Sequence, residues 1–166
     1  MKAKQIVPVT AAVRWLRERN VEFRPHFYRW EEHGGTRRAS SELGVPEHQI
    51  VKTLVMETDG RKPLVVLMHG NREVSTQRLA RFLGVKQVSP CDPGTAERYT
   101  GYRVGGISPF GVRKPMTIYS EETILDLPRV LINGGKRGFL IELESQSLRE
   151  VLNVVLVQVA ATDSRE

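Results

Sequence analysis

Two apolar segments joined by an Asp59-Gly60 turn constrain the fold more than any other feature of the sequence. The segments span residues 50–58 and 63–68, and an Asp-Gly pair between such segments is a strong signal for a β-hairpin. From Ile50 to Met56 the side chains of both faces are apolar, apart from Lys52 and Thr53. Because a strand of this kind is usually covered on both sides, we predict a central, buried strand.

The remaining elements alternate along the chain and are short. We predict capped helices over residues 11–19, 76–83 and 146–152, with Thr10, Ser75 and Ser145 as N-caps. Other expected elements are a helix over 37–43, a helix opened by Asp92-Pro93 that ends before Gly101, a tight turn at Gly134-Gly135, and strands at 21–28, 116–119, 129–132, 139–143 and 154–160. The pattern favours an α+β fold with a mixed, barrel-like sheet covered by helices.

Length and composition fit one globular domain over residues 1–166. Lys and Arg number 25 against 19 Asp and Glu, a net charge of +6 that favours polyanions as partners. A single cysteine, Cys91, excludes a disulfide framework within the chain and a thiolate-rich zinc site. No apolar stretch approaches the roughly 20 residues of a membrane span, so we expect a soluble, cytoplasmic protein without a membrane partner.

Lys52 is the most informative single residue, because an ammonium group in a buried strand is costly unless it meets a partner, a ligand or water. One interpretation is a lysine that projects into a pocket, where it holds an anion or contacts a carbonyl group. The other is a lysine whose long aliphatic stem is buried and whose ammonium reaches water at the sheet edge. The sequence pattern alone leaves both interpretations open.

Two glycine-rich segments are further candidates. Residues 104–111 contain Gly105-Gly106, where backbone amides could approach a carboxylate, phosphate or developing oxyanion. Residues 133–138 combine three glycines with Lys136 and Arg137, and could line the same cavity or touch a nucleic-acid backbone. For residues 104–111, composition alone favours a tight connector without a ligand. For residues 133–138, composition does not decide between a ligand-binding turn and a solvated basic turn.

Other catalytic patterns find no support in the sequence. The four histidines form no spaced metal-binding pair, and Ser108 lies in no nucleophile elbow, so a Ser-His-Asp triad is not expected. His26 is interpreted as structural. Cys91 precedes a helix start, which could lower the pKa of its thiol, but with no base suggested nearby it is interpreted as incidental.

Three ordered motifs resemble the YbaK/EbsC family of aminoacyl-tRNA deacylases, which is related to the editing domain of bacterial prolyl-tRNA synthetases. The resemblance covers residues 10–160. It is carried by Lys52-Thr53-Leu54, by the segment 100–111 that contains Gly105-Gly106, and by Gly134-Gly135-Lys136-Arg137-Gly138 with the following 141–143. It implies an α+β fold and hydrolysis of the ester that joins a wrong amino acid to the tRNA 3′-adenosine.

The resemblance also implies roles for individual residues. Lys52 would be the essential, catalytic lysine, near the terminal nucleotide or the carbonyl group. The expected substrate-binding residues are Tyr28, Thr53, Gly105, Gly106, Ile107, Ser108, Pro109, Asn133 and Gly134. The expected partners are the 3′ end of an aminoacyl-tRNA and, second, prolyl-tRNA synthetase, with no DNA, cofactor or metal.

The branch of the family that removes cysteine from tRNA(Pro) differs from this chain near the implied pocket. That branch has Ser at the place of Asn133, Asp at the place of Leu140, and a longer aromatic segment at the place of residues 31–35. Alanine, serine, threonine or a non-protein amino acid therefore stay open beside cysteine. The nucleophile stays open too, as the substrate's own thiol, a water or the tRNA 2′-hydroxyl. A non-catalytic tRNA- or nucleotide-binding module and a synthetase-associated regulatory protein are the alternatives to an enzyme.

Overall fold

The computed structural model describes residues 6–162 and places five α-helices around a mixed sheet of eight strands. Three helices begin at predicted caps, because the side chains of Thr10, Ser75 and Asp92 each accept a hydrogen bond from a backbone amide three residues ahead. The helices are α1 (Ala11–Glu18), α2 (Gly35–Leu43), α3 (Thr76–Leu83), α4 (Pro93–Thr100) and α5 (Ser145–Leu152). Two 3-10 turns, Glu47–Gln49 and Glu122–Asp126, complete the helical structure.

The strands form one sheet in which parallel and antiparallel neighbours mix. They are β1 (Arg24–Phe27), β2 (Ile50–Thr58), β3 (Pro63–His69), β4 (Val88–Pro90), β5 (Thr117–Glu121), β6 (Arg129–Lys136), β7 (Phe139–Glu144) and β8 (Val155–Val157). Their order is β1-β7-β6-β2-β3-β5-β8, and β4 pairs with β2 beside β6. The predicted α+β class with a mixed sheet is confirmed.

Strand β2 occupies the centre, as its two apolar faces predict. It forms the expected antiparallel hairpin with β3, while β6 and β4 share its other edge. The β2–β6 pairing ends at Val51↔Ile132, and the β2–β4 pairing begins only at Met56↔Pro90. The edge of β2 between Val51 and Met56 therefore faces neither strand, and this gap frames the candidate site.

The hydrophobic core lies on both faces of the sheet. The larger cluster covers one face and is centred on α1, with Leu16, Phe110 and Ile132 among its buried members. The other face carries two smaller clusters, one around Ile50 and Leu140 and one around Met68 and Leu79. No helix among the described residues is long and apolar enough to cross a membrane.

Two local predictions were wrong. Gly134 and Gly135 do not form the turn between the last long strands; they belong to β6, beside an irregular register, and the chain turns at Arg137-Gly138. Ser145 is the first residue of α5 rather than its N-cap, and its hydroxyl donates to the carbonyl oxygen of Leu127 instead. In both cases a contact distant in sequence replaced the local pattern.

Candidate active site

Lys52 lies on the sheet face that carries the two smaller apolar clusters. Side chains alternate along β2, so Lys52 falls between Ile50 of one cluster and Leu54, which packs on the other. Its side chain is only 18% exposed, and its ammonium donates to the carbonyl oxygen of Arg72 at 2.5 Å and to a Glu73 carboxylate oxygen at 3.2 Å. The stem of Lys52 is thus largely covered, while its ammonium lies near the surface and is held there by two hydrogen bonds.

Asn133 is the neighbour of Lys52 on the adjacent strand. Val51 and Ile132 are partners across the parallel pair, so Lys52 and Asn133 follow them side by side and share the face of Ile50. The side-chain amide of Asn133 donates to the carbonyl oxygen of Gly105 at 3.2 Å. Its side-chain oxygen accepts from the amides of Gly135 and Lys136. Asn133 therefore connects the strand beside Lys52 to the glycine loop, which is the segment of residues 104–111.

The Gly105-Gly106 pair packs tightly against the turn between β6 and β7. Gly105 has a φ of +92°, and a Cβ there would lie 2.8 Å from Nε1 of Trp30. A Cβ on Gly106 would lie 2.8 Å from the backbone nitrogen of Arg137. Both positions are thus restricted to glycine by sterics, and Gly105 also by its backbone conformation. The two adjacent glycines singled out in the sequence are therefore required here by close packing within the protein.

The same loop also presents amide groups without acceptors. Gly106 donates its N–H to the carbonyl oxygen of Arg103, and Phe110 donates to the Ser108 hydroxyl. Within the part of the chain that the structure describes, the amides of Gly105, Ile107 and Ser108 have no hydrogen-bond acceptor. Buried amides normally find partners, so this stretch has donors to spare for a ligand.

The inner part of the loop turns away from Lys52. Ser108 and Pro109 are buried, and Ile107 packs on the large cluster on the opposite sheet face. The structure thus gives Ile107, Ser108 and Pro109 a supporting position. A binding role for these three residues stays a prediction.

Tyr28 packs against the cluster that contains Ile50 and Leu140. Burial, together with the nearby Glu42 carboxylate, raises the pKa of the Tyr28 phenol, so this group is neutral and a hydrogen-bond donor at pH 7. Leu140 is 4% exposed and extends this apolar wall. The region beside Ile50 therefore suits an uncharged side chain.

Thr53 and Gly134 occupy less direct positions. Thr53 points to the face opposite Lys52, and its buried hydroxyl is the one buried side-chain polar atom among the described residues that has no hydrogen-bond partner. Gly134 is buried beneath the Phe139 ring, and its carbonyl oxygen accepts from the Thr10 hydroxyl. A binding role for either residue stays a prediction.

Cys91 and the histidines His26, His48 and His69 make contacts within the fold. Burial, followed by the charges of Glu57 and Asp92, raises the pKa of the Cys91 thiol to about 11, so the helix that follows does not activate it.

His26 lies 2.8 Å from the Glu142 carboxylate, in agreement with a structural role. The rings of His48 and His69 stack at 3.7 Å, and burial lowers the pKa of His69. No cluster of three or more His, Cys, Asp or Glu side chains in residues 6–162 could hold a metal ion.

Two open clefts among the described residues lie away from Lys52. One, of about 790 Å³, is lined by Arg17, Phe23 and Arg129, and another, of about 680 Å³, by Arg78, Phe82 and Gln158. Neither is lined by a predicted site residue. The Lys52 ammonium is instead bonded to Arg72 and Glu73 near the surface. An anionic ligand at the ammonium would compete with the Glu73 carboxylate for it.

Sequence reasoning missed two members of this arrangement, Glu73 and Trp30. Glu73 is 83% exposed and lies in an ordinary polar loop, so no sequence pattern marks it. Trp30 belongs to a segment without regular structure, yet it lies against Gly105. The two adjacent glycines were the only signal that a bulky group approaches there.

A family model for the aminoacyl-tRNA editing domain matches residues 33–151. A relative from Enterococcus faecalis, named "Putative Cys-tRNA(Pro)/Cys-tRNA(Cys) deacylase EbsC", is 30% identical over 92% of this chain and 94% of its own length. A proline–tRNA ligase from Limosilactobacillus fermentum is 29% identical over 61% of this chain and 18% of its own length.

Solved structures agree on the fold. A structure described as that of "a putative trans-editing enzyme for prolyl tRNA synthetase" has a TM-score of 0.79 and 21% identity, over 95% of this chain and all of the other. The hypothetical protein APE2540 has a TM-score of 0.83 and 22% identity, over 91% of this chain and 99% of the other.

Proposed function

The chain belongs to the aminoacyl-tRNA editing domain family, and from this premise we propose that it is a trans-editing deacylase that hydrolyses the ester of mischarged tRNA. The proposed substrate is cysteinyl-tRNA(Pro), or another small amino acid on tRNA(Pro). The enzyme class follows from the relatives, since the Enterococcus protein is named for deacylation. The choice of tRNA(Pro) rests on that name and on the match to part of proline–tRNA ligases.

The position of Lys52 carries the proposal. The Lys52 side chain is 18% exposed and lies between two apolar clusters, and a charge in such partly covered surroundings interacts more strongly with an anion than one in bulk water. As the ester carbonyl is attacked, negative charge develops on its oxygen, and a terminal phosphate carries charge throughout. Lys52 would stabilise one of these groups after releasing Glu73.

The glycine loop would supply the neutral donors. Asn133 ties the Gly105 carbonyl to the strand beside Lys52, which supports the free amide of Gly105 as a donor near the lysine. Amide donors held by a rigid loop stabilise an oxyanion without rearranging during the reaction. Tyr28 and Leu140 would form the wall that accepts the uncharged amino-acid side chain.

The nucleophile is proposed to come from the substrate where that substrate is cysteine. The thiol sulfur attacks the ester carbonyl to form a cyclic thioester, the bond to the tRNA 3′-oxygen breaks, and the tRNA hydroxyl leaves with the thiol proton. Water then opens the cyclic thioester and yields free cysteine. The protein then contributes orientation and charge stabilisation. For an amino acid without a thiol, a positioned water or the tRNA 2′-hydroxyl must take that place.

A panel of mischarged tRNAs tests the proposal. Purified protein is incubated with cysteinyl-, alanyl- and prolyl-tRNA(Pro), and loss of the ester is followed against spontaneous hydrolysis. We expect acceleration for cysteine or alanine and none for correctly charged proline. Lack of acceleration on every substrate, with the fold intact, rejects the enzyme. Salt-sensitive tRNA binding without hydrolysis would instead identify a binding module.

Prolyl-tRNA synthetase is the second proposed partner, because this chain matches part of such enzymes. Complex formation would bring the deacylase to mischarged tRNA(Pro) before its release in the cytoplasm. Co-sedimentation of the two purified proteins, with and without tRNA(Pro), measures the contact. Absence of a complex in both conditions would remove the synthetase from the proposal and leave the deacylase unaffected.

A further inference from the structure

A tryptophan–arginine stack lies at the edge of the candidate site. The guanidinium carbon of Arg137 is 4.1 Å from the centre of the Trp30 ring, which is the geometry of a cation–π pair. Both residues are partly exposed. The pair therefore presents a flat, positively charged surface to solvent.

The glycine loop fixes this stack in place. Arg137 Nε donates to the carbonyl oxygen of Val104 at 2.8 Å, and a Cβ on Gly105 would collide with the Trp30 ring. On the other side, the Tyr28 amide donates to the carbonyl oxygen of Gly138, which anchors the start of the segment that carries Trp30. The loop that Asn133 ties beside Lys52 is thus the loop that orients Arg137.

Arg137 retains donors that nothing in the described residues uses. Its Nε is bonded, but its terminal nitrogens have neither a carboxylate nor a carbonyl partner within residues 6–162. A partly buried guanidinium that lacks an acidic partner is typical of sites that recognise phosphate or stack on bases.

The other tryptophan–arginine pair shows the contrast. Arg19 lies 3.7 Å above the Trp15 ring at the end of α1. There one terminal nitrogen of the Arg19 guanidinium donates a hydrogen bond to the Trp15 carbonyl oxygen and forms an ion pair with Glu18. That pair belongs to the α1 surface and packs on the large cluster on the face opposite Lys52. It serves as an internal control for the pair at Gly105.

We propose that the Trp30–Arg137 stack is the subsite for the terminal nucleotide of the tRNA, with the nucleobase stacked on the pair and its phosphate near the Arg137 terminal nitrogens. Every base has a π-face, and single-stranded RNA ends are commonly recognised by stacking on aromatic rings and guanidinium planes. The inference rests on the proposed function, because it assigns a second subsite to the same substrate. Trp30 and Arg137 are binding residues in this scheme and take no part in bond breaking.

Binding is tested first, without any catalytic step. The chain has two tryptophans, so Trp15→Phe leaves Trp30 as the only one. Titration of this variant with adenosine 5′-monophosphate should quench its fluorescence saturably, while ribose 5-phosphate should not. The Trp30→Phe variant, which reports only from Trp15, should show no quenching. Equal responses to the two ligands, or no response in Trp15→Phe, would overturn the proposal even if the protein proves to be an active deacylase.

Kinetics then separate stacking from support of the loop. On mischarged tRNA, Trp30→Ala should raise KM about tenfold with kcat nearly unchanged, whereas Trp30→Phe should retain most of the affinity. On a substrate whose terminal nucleotide lacks its base, wild-type and Trp30→Ala should have the same KM. An equal rise of KM on both substrates, or a loss confined to kcat, would show that Trp30 only supports the glycine loop. If no substrate is hydrolysed at all, the proposed function fails, and the fluorescence titration still decides the subsite.

Discussion

The ammonium of Lys52 lies 3.2 Å from a carboxylate oxygen of Glu73, and the two residues differ sharply in exposure: 18% of the Lys52 side chain is accessible, against 83% of the Glu73 side chain. An exposed carboxylate holds the Lys52 ammonium only weakly, because the carboxylate itself is well solvated. Glu73 is therefore a partner that a phosphate or a developing oxyanion can replace.

Replacement of Lys52 by Met should lower kcat on mischarged tRNA about 100-fold or more, the effect of removing one oxyanion-stabilising donor. Met retains the long apolar stem between the clusters, so the free energy of unfolding should change by less than about 1 kcal/mol. Deacylation rates and thermal melts measure the two effects. Lys62→Met, at the exposed β2–β3 turn, removes the same charge and should leave activity unchanged. A collapse of stability with surviving activity would make Lys52 structural.

Replacement of Glu73 by Gln should free the Lys52 ammonium and remove a negative charge from the path of the tRNA. We expect KM for mischarged tRNA to fall about two- to fivefold at low salt, with a smaller gain at high salt because the effect is electrostatic. Stability should change by less than about 0.5 kcal/mol, as for other exposed ion pairs. Glu18→Gln, at a 72%-exposed position on α1, is the matched control. A rise in KM would show that Glu73 orients Lys52 productively.

Replacement of Gly105 by Ala should cost both activity and stability. The new Cβ meets Trp30 at 2.8 Å, and the φ of +92° is strained for any side chain, so we expect a loss of about 2–4 kcal/mol in the free energy of unfolding. Gly84→Ala isolates the backbone effect, since Gly84 has a φ of +70° and open space around its Cβ position. Denaturant unfolding should place Gly84→Ala near a loss of 1 kcal/mol, with full activity. Equal losses in the two variants would show that contact with Trp30 is unimportant.

Glu142 should make the protein sensitive to acid. Burial alone would raise its pKa, but hydrogen bonds from Arg129 and His26, and their charges, outweigh burial and leave the pKa of Glu142 lowered. A carboxyl whose native pKa is lowered stabilises the fold above its ordinary pKa of about 4.3, and this stabilisation is lost as pH falls through the native value.

The variant Glu142→Gln tests this linkage. It should lower the free energy of unfolding at pH 7 by about 1–3 kcal/mol, because two charge-assisted hydrogen bonds are lost. Towards pH 3 the difference from wild-type should shrink, since the wild-type carboxyl becomes protonated as well. Urea unfolding across pH 3–7 provides the measurement, with the exposed Glu150→Gln as reference. A difference that is constant with pH would exclude titration of Glu142 as the cause.

Local chemistry made much of the fold predictable. The caps at Thr10, Ser75 and Asp92 depend on amides three residues away, and the Asp59-Gly60 hairpin depends on its own turn. The central position of β2 followed from the apolar character of its two faces. The motif resemblance predicted the family, and the family model confirmed it.

The sequence alone therefore determined the short elements, the buried central strand and the chemical identity of its one lysine. Tertiary structure decided what that lysine and the glycines meet. Glu73 is 21 residues from Lys52, and Gly105 and Asn133 are 28 residues apart. The predicted Gly134-Gly135 turn failed for the same reason, since its position depends on the β6–β7 register. Caps and hairpins form between chain neighbours, whereas a binding site forms between residues that become adjacent only when the whole sheet has assembled.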